Sequence, residues 1–197
     1  MVAPPNRPRM SVGEYLELDR RSPDKRYEYL DGEVYLMAGA SGIHEYICAN
    51  MRGELRNALR GSSCRVYDSN VKLRVAETKY FLPDVQVSCH PADLSTAEVL
   101  HHSRLVVEVL SPGTQRLDQY VKSTYYRNHP TIQEYVLVHT DRQFVEVYRR
   151  GQNRHWMISS FGPGEVVELE SLGVRIPIAE IYGEVVFPLN ITDFPTP

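Results

Sequence analysis

The sequence predicts an α/β fold in which a mixed central β-sheet is flanked by helices and followed by an antiparallel C-terminal meander. Three observations support this fold class. Two segments carry apolar residues at helical spacing, and residues 105–110 are aliphatic on both faces apart from Glu108, as in a strand covered on both sides. Three further β segments in the C-terminal half are separated by short turns, which favours an antiparallel meander.

The length and composition are those of one folded unit. With 197 residues and 42% hydrophobic content, the chain can bury a sizeable core. We predict a single domain over residues 11–183, preceded by a flexible tail of residues 1–10 and followed by a tail of residues 184–197. No stretch approaches the roughly 18–20 apolar residues that a membrane span requires, and no apolar segment follows the N-terminal arginines as it would in a secretory signal.

The cysteines and the net charge narrow the class of protein. Three widely spaced cysteines favour reduced core thiols in a cytoplasmic protein over a disulfide framework or a zinc site; they are Cys48, Cys64 and Cys89. The net charge of −3 neither indicates nor excludes nucleic-acid binding. We interpret the basic groups at residues 20–26 and 149–154 as solvated surface charge.

The N-terminal elements follow from local signals. Ser11 and Glu14 have capping-box spacing, which predicts a short helix that ends near Ser22-Pro23. The pair Asp31-Gly32 between RYEYL and EVYLM predicts a hairpin with a type I′ turn. Apolar residues then recur every four positions over 43–59, which indicates an amphipathic helix packed on the sheet. Ser41 is interpreted as a cap or turn residue. His44, in the first turn, is a candidate site residue, although a surface or capping role is favoured for it.

The rest of the chain alternates strands and turns. After a turn at residues 111–114, we expect a helix that stops at Asn128-His129-Pro130, because proline cannot continue a helix. His101-His102 is interpreted as a loop. The predicted strands are residues 65–75, 84–88, 105–110, 134–139, 144–149 and 155–161.

Glu108 is the unusual residue of this pattern. It shares a strand face with Val106 and Leu110, while the other face is wholly aliphatic. An ionised carboxylate loses several kcal/mol on leaving water unless it is compensated. If strand 84–88 pairs with this strand, Asp84 brings a second carboxylate to the same face. Two converging carboxylates call for a cation, and Mg²⁺ is a natural partner of oxygen ligands.

The helix after Glu108 offers a positive charge. Asp118, Lys122 and Tyr126 are four positions apart and share one face, so Lys122 can extend toward Glu108 while its aliphatic stem stays packed. A structural Glu108–Lys122 ion pair without a metal is the alternative. We expect the neighbouring stripe to pack inward, with Lys122 at its edge; that stripe is Leu117, Val121 and Tyr125.

The ordered motifs resemble the Uma2 family, also called DUF820, of the PD-(D/E)XK restriction-endonuclease-like superfamily. The resemblance covers roughly residues 11–182. It includes YEYLDGEVYLMAGAS followed by His44 at the head of a helix. The other motifs are LPD (82–84), VVEVLSP (106–112), DQYVK (118–122) and EYVLV (134–138).

The resemblance implies a restriction-endonuclease-like core with a divalent-metal nuclease site, and an endonuclease that uses Mg²⁺ or Mn²⁺ to cut DNA. Asp84 and Glu108 match the metal-binding acidic pair, and Glu28 matches an upstream acidic position that can complete the site. The usual superfamily lysine would stand at Leu110, but Lys122 on the following helix matches the lysine of this family. The alternative is a catalytically silent binding or assembly module with the same fold. A homodimer would supply two active sites for the two DNA strands.

Overall fold

A computed structural model of the chain describes residues 9–37, 39, 41–95, 98–110 and 121–187. None of the helices in these ranges is long and apolar enough to cross a membrane. In chain order the elements are α1 (Val12–Arg20), β1 (Tyr27–Leu30), β2 (Glu33–Leu36), α2 (Gly42–Ala58), β3 (Arg65–Asp68), β4 (Lys72–Ala76), β5 (Lys79–Phe81), β6 (Val85–Ser88), α3 (Pro91–Leu94), β7 (Val99–Leu100), β8 (Ser103–Leu110), α4 (Ser123–Asn128), β9 (Glu134–His139), β10 (Val145–Arg150), β11 (Trp156–Phe161), β12 (Val166–Leu169), β13 (Val174–Pro177) and α5 (Ile178–Ile181).

The described strands form a six-stranded sheet, a five-stranded sheet and a hairpin of β12 and β13. The six-stranded sheet has the order β11-β10-β9-β8-β6-β3, and the five-stranded sheet has the order β2-β1-β5-β4-β7. In the larger sheet β8 lies antiparallel to β6 and parallel to β9. The meander of β9, β10 and β11 is antiparallel. The predicted mixed sheet and C-terminal meander are confirmed.

The predicted helix and hairpin near the N-terminus are confirmed as well. The Ser11 amide donates to Glu14 Oε2 at 2.7 Å and the Glu14 amide donates to Ser11 Oγ at 3.3 Å, so the capping box closes α1. The β1–β2 turn holds Asp31 at φ 49° and Gly32 at φ 94°. Glycine and aspartate tolerate these positive angles, which explains why this pair forms the hairpin.

Strand β8 is packed on both faces, as its alternation predicts. Val107 and Val109 join the core cluster that includes Ile47 and Met51 of α2. Val106 and Leu110 join a second cluster that connects the six-stranded sheet to the five-stranded sheet and to α4. Glu108 therefore points toward the second cluster, between the two sheets.

The prediction of one strand over residues 65–75 is wrong. The chain turns at Asp68, whose carbonyl accepts from the Val71 amide at 3.1 Å and whose Oδ1 accepts from the Asn70 amide at 3.0 Å. An aspartate that binds its own backbone two residues on reverses the chain. As a result β3 joins the six-stranded sheet while β4 joins the five-stranded one, where it pairs with the unpredicted strand β5.

The prediction of three reduced cysteines is also wrong. Cys64 and Cys89 form a disulfide, and Cys48 is the free cysteine. The cause is strand register: β3 and β6 pair Arg65 with Ser88, so the next residue outward on each strand is a cysteine facing the other. Long-range pairing of this kind cannot be read from cysteine spacing.

The structure describes only part of the two predicted tails and of the predicted helix after β8. Met10 is held, since its carbonyl accepts from the Tyr29 hydroxyl at 2.8 Å. Val185 and Phe187 pack against the core, so the chain stays attached beyond the expected boundary at residue 183. The predicted helix start at residues 111–114, and Leu117 and Asp118, lie outside the described residues. The predicted stop at Asn128 is confirmed by the end of α4.

Candidate functional site

Glu108 is buried and bonded to Lys122. Both residues are almost fully inaccessible, at 2% and 1% exposure. Lys122 Nζ lies 3.3 Å from Glu108 Oε1. The buried carboxylate of Glu108 therefore has the cationic partner that the sequence predicts. A buried ammonium needs a counter-charge as much as the carboxylate does, so the two groups stabilise each other's ionised forms.

Glu28 brings a second carboxylate to the same lysine. Its Oε1 lies 2.8 Å from Lys122 Nζ, and the side chain is nearly as buried as that of Glu108. The same oxygen accepts from the Leu82 amide at 2.9 Å. Glu28 comes from β1 of the five-stranded sheet, so Lys122 links carboxylates from the two sheets. The aromatic ring of Phe81 lies below the ammonium, 5.8 Å from Nζ to the ring centroid.

Tyr126 of α4, four residues after Lys122, holds the Glu108 carboxylate in place. Its hydroxyl donates to Glu108 Oε1 at 2.7 Å. Burial raises the pKa of this fully buried phenol well above its usual value, and the charges of Glu108 and Glu28 raise it further. The phenol therefore keeps its proton at neutral pH and serves as a permanent hydrogen-bond donor.

The predicted inward stripe of this helix is wrong for the part that the structure describes. Lys122 and Tyr126 point into the protein, whereas Val121 is exposed and Tyr125 is half-buried. Apolar periodicity favours the stripe of Val121 and Tyr125, but the carboxylates beneath the helix reverse that preference. Two buried acidic groups supply ionic partners that outweigh the burial of one valine.

Asp84 lies in a bend just before β6. Its Oδ2 accepts from the Val109 amide at 2.8 Å, the residue directly after Glu108. The predicted pairing of the two strands is confirmed, with Val85 opposite Val107. The described contacts thus join the four predicted residues: Asp84 binds next to Glu108, Glu28 binds the amide of Leu82, two residues before Asp84, and Lys122 bridges Glu28 and Glu108.

His44 and Cys48 lie beside Asp84, and neither was among the predicted site residues, Asp84, Glu108, Lys122 and Glu28. Ser41 caps α2 by accepting from the His44 amide at 3.3 Å, as predicted. The imidazole, however, is not a surface group: its Nε2 lies 3.2 Å from Asp84 Oδ2, and its side chain is 12% exposed. Nδ1 lies 3.5 Å from Cys48 Sγ. The i, i+4 spacing of His44 and Cys48 was the available signal, because it places both on one helix face.

The surroundings of Cys48 raise the pKa of its thiol. Burial raises the pKa of its thiol, and the negative charges of Asp84, Glu45 and Glu108 raise it further, while Arg52 opposes them. A thiol in this setting stays protonated unless a cation binds it. Cys48 is therefore a poor nucleophile.

The predicted carboxylates have the donor chemistry of a hard divalent cation, although the compact group of ligand atoms among the described residues is that of His44, Cys48 and Asp84. Among the residues that the structure describes, both polar contacts of the Asp84 carboxylate use Oδ2, which leaves Oδ1 for another ligand. Asp84, Glu108 and Glu28 provide carboxylate oxygens from neighbouring segments, and such oxygens are the ligands that Mg²⁺ and Mn²⁺ take in proteins.

Helix α4 also borders a basic cavity. The cavity has a volume of about 390 Å³ and is lined by Thr124, Arg127, Asn128, Pro130, Arg150 and Trp156. The prediction that the basic group near residue 150 is solvated is wrong for Arg150. Its guanidinium donates to the carbonyls of Ile132, Arg127 and His129, and lies 4.8 Å from the Trp156 ring centroid. Arg150 thus caps the end of α4 and holds the cavity wall.

Comparison with known proteins gives consistent results. The Uma2 family model, described as "Putative restriction endonuclease", matches residues 12–179. Two uncharacterized proteins of Synechocystis sp. are similar: slr1290 is 33% identical, with 91% of this chain and 95% of the relative covered. The second, sll1609, is 31% identical over 85% of this chain and 95% of the relative.

A solved structure shares the fold. The crystal structure of a putative nuclease belonging to DUF820 from Anabaena variabilis superposes with a TM-score of 0.72 at 19% sequence identity. The superposition covers 88% of this chain and 97% of the other. Similarity at this identity concerns the arrangement of helices and strands.

Proposed function

Because this chain belongs to the Uma2 family, we propose that it is a divalent-metal-dependent endonuclease that hydrolyses phosphodiester bonds in DNA. Its fold is the mixed α/β, restriction-endonuclease-like one. The observation that carries the proposal is the buried bridge of Lys122 between Glu28 and Glu108. Buried ionisable groups are costly, and they are concentrated at functional sites.

In the proposed site, Asp84 and Glu108 would hold Mg²⁺ or Mn²⁺, with Glu28 as a further carboxylate. A bound divalent ion supplies an acidified water and polarises the phosphate. Lys122 would orient the attacking water or offset the charge that develops on the phosphate oxygens. Tyr126 and Glu28 would position Glu108 and Lys122 through the hydrogen bonds described above.

We propose that DNA contacts the basic cavity beside α4. Arg127 can contact phosphate groups, Arg150 adds positive charge to the cavity wall, and the indole of Trp156 offers a surface on which a base can stack. None of the described residues that line this cavity is acidic, so they would not repel the DNA backbone. A homodimer would place two such sites on one duplex, and we propose that the enzyme acts in the bacterial cytoplasm.

The direct test is cleavage of DNA by the purified full-length protein. We expect supercoiled plasmid or single-stranded DNA to be cut in Mg²⁺ or Mn²⁺ and to stay intact in EDTA. Asp84→Asn should lower the rate by about 100-fold or more, since an amide carries no charge for the cation. The exposed His101 lies in a loop, and His101→Ala should keep the activity of the unmodified protein.

An outcome without cleavage would reject the proposal. The decisive negative result is that plasmid, single-stranded DNA and RNA all stay intact with either ion, while a related active nuclease cuts the same substrates in parallel. The second candidate, a silent binding or assembly module, is favoured by one feature: Lys122 is a cationic partner for both glutamates, at 2.8 Å and 3.3 Å. Titration with Mg²⁺ separates the two, because the module predicts no binding at millimolar concentration that depends on Asp84 and Glu108.

The basic cavity gives a separate prediction. Arg127→Ala should weaken DNA binding several-fold for any sequence, and the slope of log affinity against log salt should fall by about one. Arg175→Ala is the matched control, because Arg175 is an exposed arginine paired with Glu168 on the β12–β13 hairpin. Fluorescence anisotropy with a catalytically inactive Asp84→Asn background measures both. Equal salt slopes for the two arginine variants would exclude Arg127 from the DNA contact.

A further inference from the structure

The side chains of His44, Cys48 and Asp84 form a compact group of possible ligands. One ligand atom of each lies within 4.8 Å of the others. His44 Nε2 is 3.2 Å from Asp84 Oδ2, and His44 Nδ1 is 3.5 Å from Cys48 Sγ. Bonds of about 2.0–2.3 Å in a tetrahedral zinc site place neighbouring ligand atoms about 3.3–3.8 Å apart. An imidazole binds one ion through one nitrogen, so only one of these two distances belongs to a single set of ligand atoms. That distance is close to the tetrahedral range, and the other separations within the set are at most 4.8 Å, so a small side-chain shift completes the geometry.

The donor types differ from those of the proposed Mg²⁺ site. An imidazole, a thiolate and one carboxylate favour Zn²⁺ or Co²⁺, whereas Mg²⁺ has little affinity for sulfur. Three protein ligands with one remaining position is also the usual composition of an open zinc site. The chemistry therefore distinguishes the two groups of ligands, although both contain Asp84.

The group is positioned before any ion binds. His44 and Cys48 are one turn apart on α2, whose start is fixed by the Ser41 cap. Asp84 is held from the opposite side by the Val109 amide. Because two of the side chains are anchored on α2 and the third just before β6, little conformational entropy is lost when the three converge on an ion.

We propose that His44, Cys48 and Asp84 form a second metal site, selective for Zn²⁺ or Co²⁺, and that its occupation withdraws Asp84 from the Mg²⁺ site. Metal binding here does not depend on nuclease activity. The inhibitory effect rests on the proposed function, since it requires Asp84 to take part in Mg²⁺-supported cleavage. The site would then make the enzyme sensitive to zinc at concentrations that leave Mg²⁺ in large excess.

Cobalt absorption tests the binding. Addition of Co²⁺ to the full-length protein should produce the near-ultraviolet thiolate charge-transfer band and the visible bands of a tetrahedral ion. Both should disappear in Cys48→Ser. They should persist in the Cys64→Ser/Cys89→Ser variant, which removes the other two sulfur atoms, and in Glu108→Gln, which leaves the three ligands intact. Absence of the bands, or their loss with Cys64 and Cys89 rather than with Cys48, would overturn the proposed site.

Inhibition is tested separately. If the protein cuts DNA in Mg²⁺, Zn²⁺ should inhibit it, and Cys48→Ser should raise the inhibitory Zn²⁺ concentration by about tenfold or more, because a direct ligand is lost. An unchanged inhibitory concentration would overturn the competition between sites. A protein that shows the cobalt bands but never cuts nucleic acid would retain the metal site and reject the nuclease. A nuclease without the bands would do the reverse.

Discussion

Lys122→Met is expected to lower the free energy of unfolding by about 3–5 kcal/mol, the cost of removing one partner from a buried ion pair. The variant keeps the carboxylates of Glu28 and Glu108 in an interior where Lys122 is 1% exposed, and it removes the ammonium that lies 2.8 Å and 3.3 Å from them. A loss of this size is a large part of the 5–15 kcal/mol that stabilises a typical domain. Urea denaturation measures it.

Two further variants make the result specific. Arg20→Met removes an exposed cation paired with Glu17 on α1, and it should cost about 1 kcal/mol or less. Adding Glu28→Gln and Glu108→Gln to Lys122→Met should recover most of the loss, because neutral amides no longer need a cation. A cost for Lys122→Met as small as that of Arg20→Met would contradict the buried bridge.

Glu108→Gln is expected to reduce metal-dependent cleavage by about 100- to 1,000-fold, the range seen when one preorganised group that stabilises the transition state is removed, while the protein stays folded. Glutamine has nearly the same shape, and its oxygen can still accept from the Tyr126 hydroxyl and from Lys122, which keeps Glu28 as its counter-ion. It cannot supply the negative charge that a divalent cation requires. The measurement is the initial rate of plasmid cleavage against Mg²⁺ concentration.

The matched control is Tyr126→Phe, which removes the hydrogen bond that positions Glu108 but leaves its charge. We expect a smaller loss of rate than for Glu108→Gln, of about tenfold. Thermal unfolding of both variants shows whether they remain folded. If Glu108→Gln cleaves as fast as the unmodified protein, Glu108 is not a metal ligand, and its role is limited to the ion pair with Lys122.

Most local elements could be predicted because their causes are local. The capping box at Ser11, the Asp31-Gly32 turn and the alternation of β8 each depend on a few neighbouring residues. The split between β3 and β4 was missed because the Asp68 turn interrupts a run whose residues otherwise favour one strand.

The site itself was predicted unevenly. The contact of Glu108 with Lys122 follows from a charge in an aliphatic strand and from the resemblance of the motifs. A surface or capping role was favoured for His44 over a place in the site, since no local pattern indicates that α2 directs it at Asp84. The orientation of α4 was predicted incorrectly for the same reason: apolar periodicity cannot show that two acidic side chains lie beneath the helix.

The sequence by itself determined most of the local helices and strands, the burial of Glu108 and the need for a cation near it, because propensity, alternation and the cost of burying charge act over short stretches. The tertiary structure alone decided that Glu28 shares Lys122, that Cys64 bonds Cys89 and that His44 reaches Asp84. These contacts depend on the register of paired strands and the packing of α2 on the sheet. Such long-range geometry is fixed only when the whole core assembles.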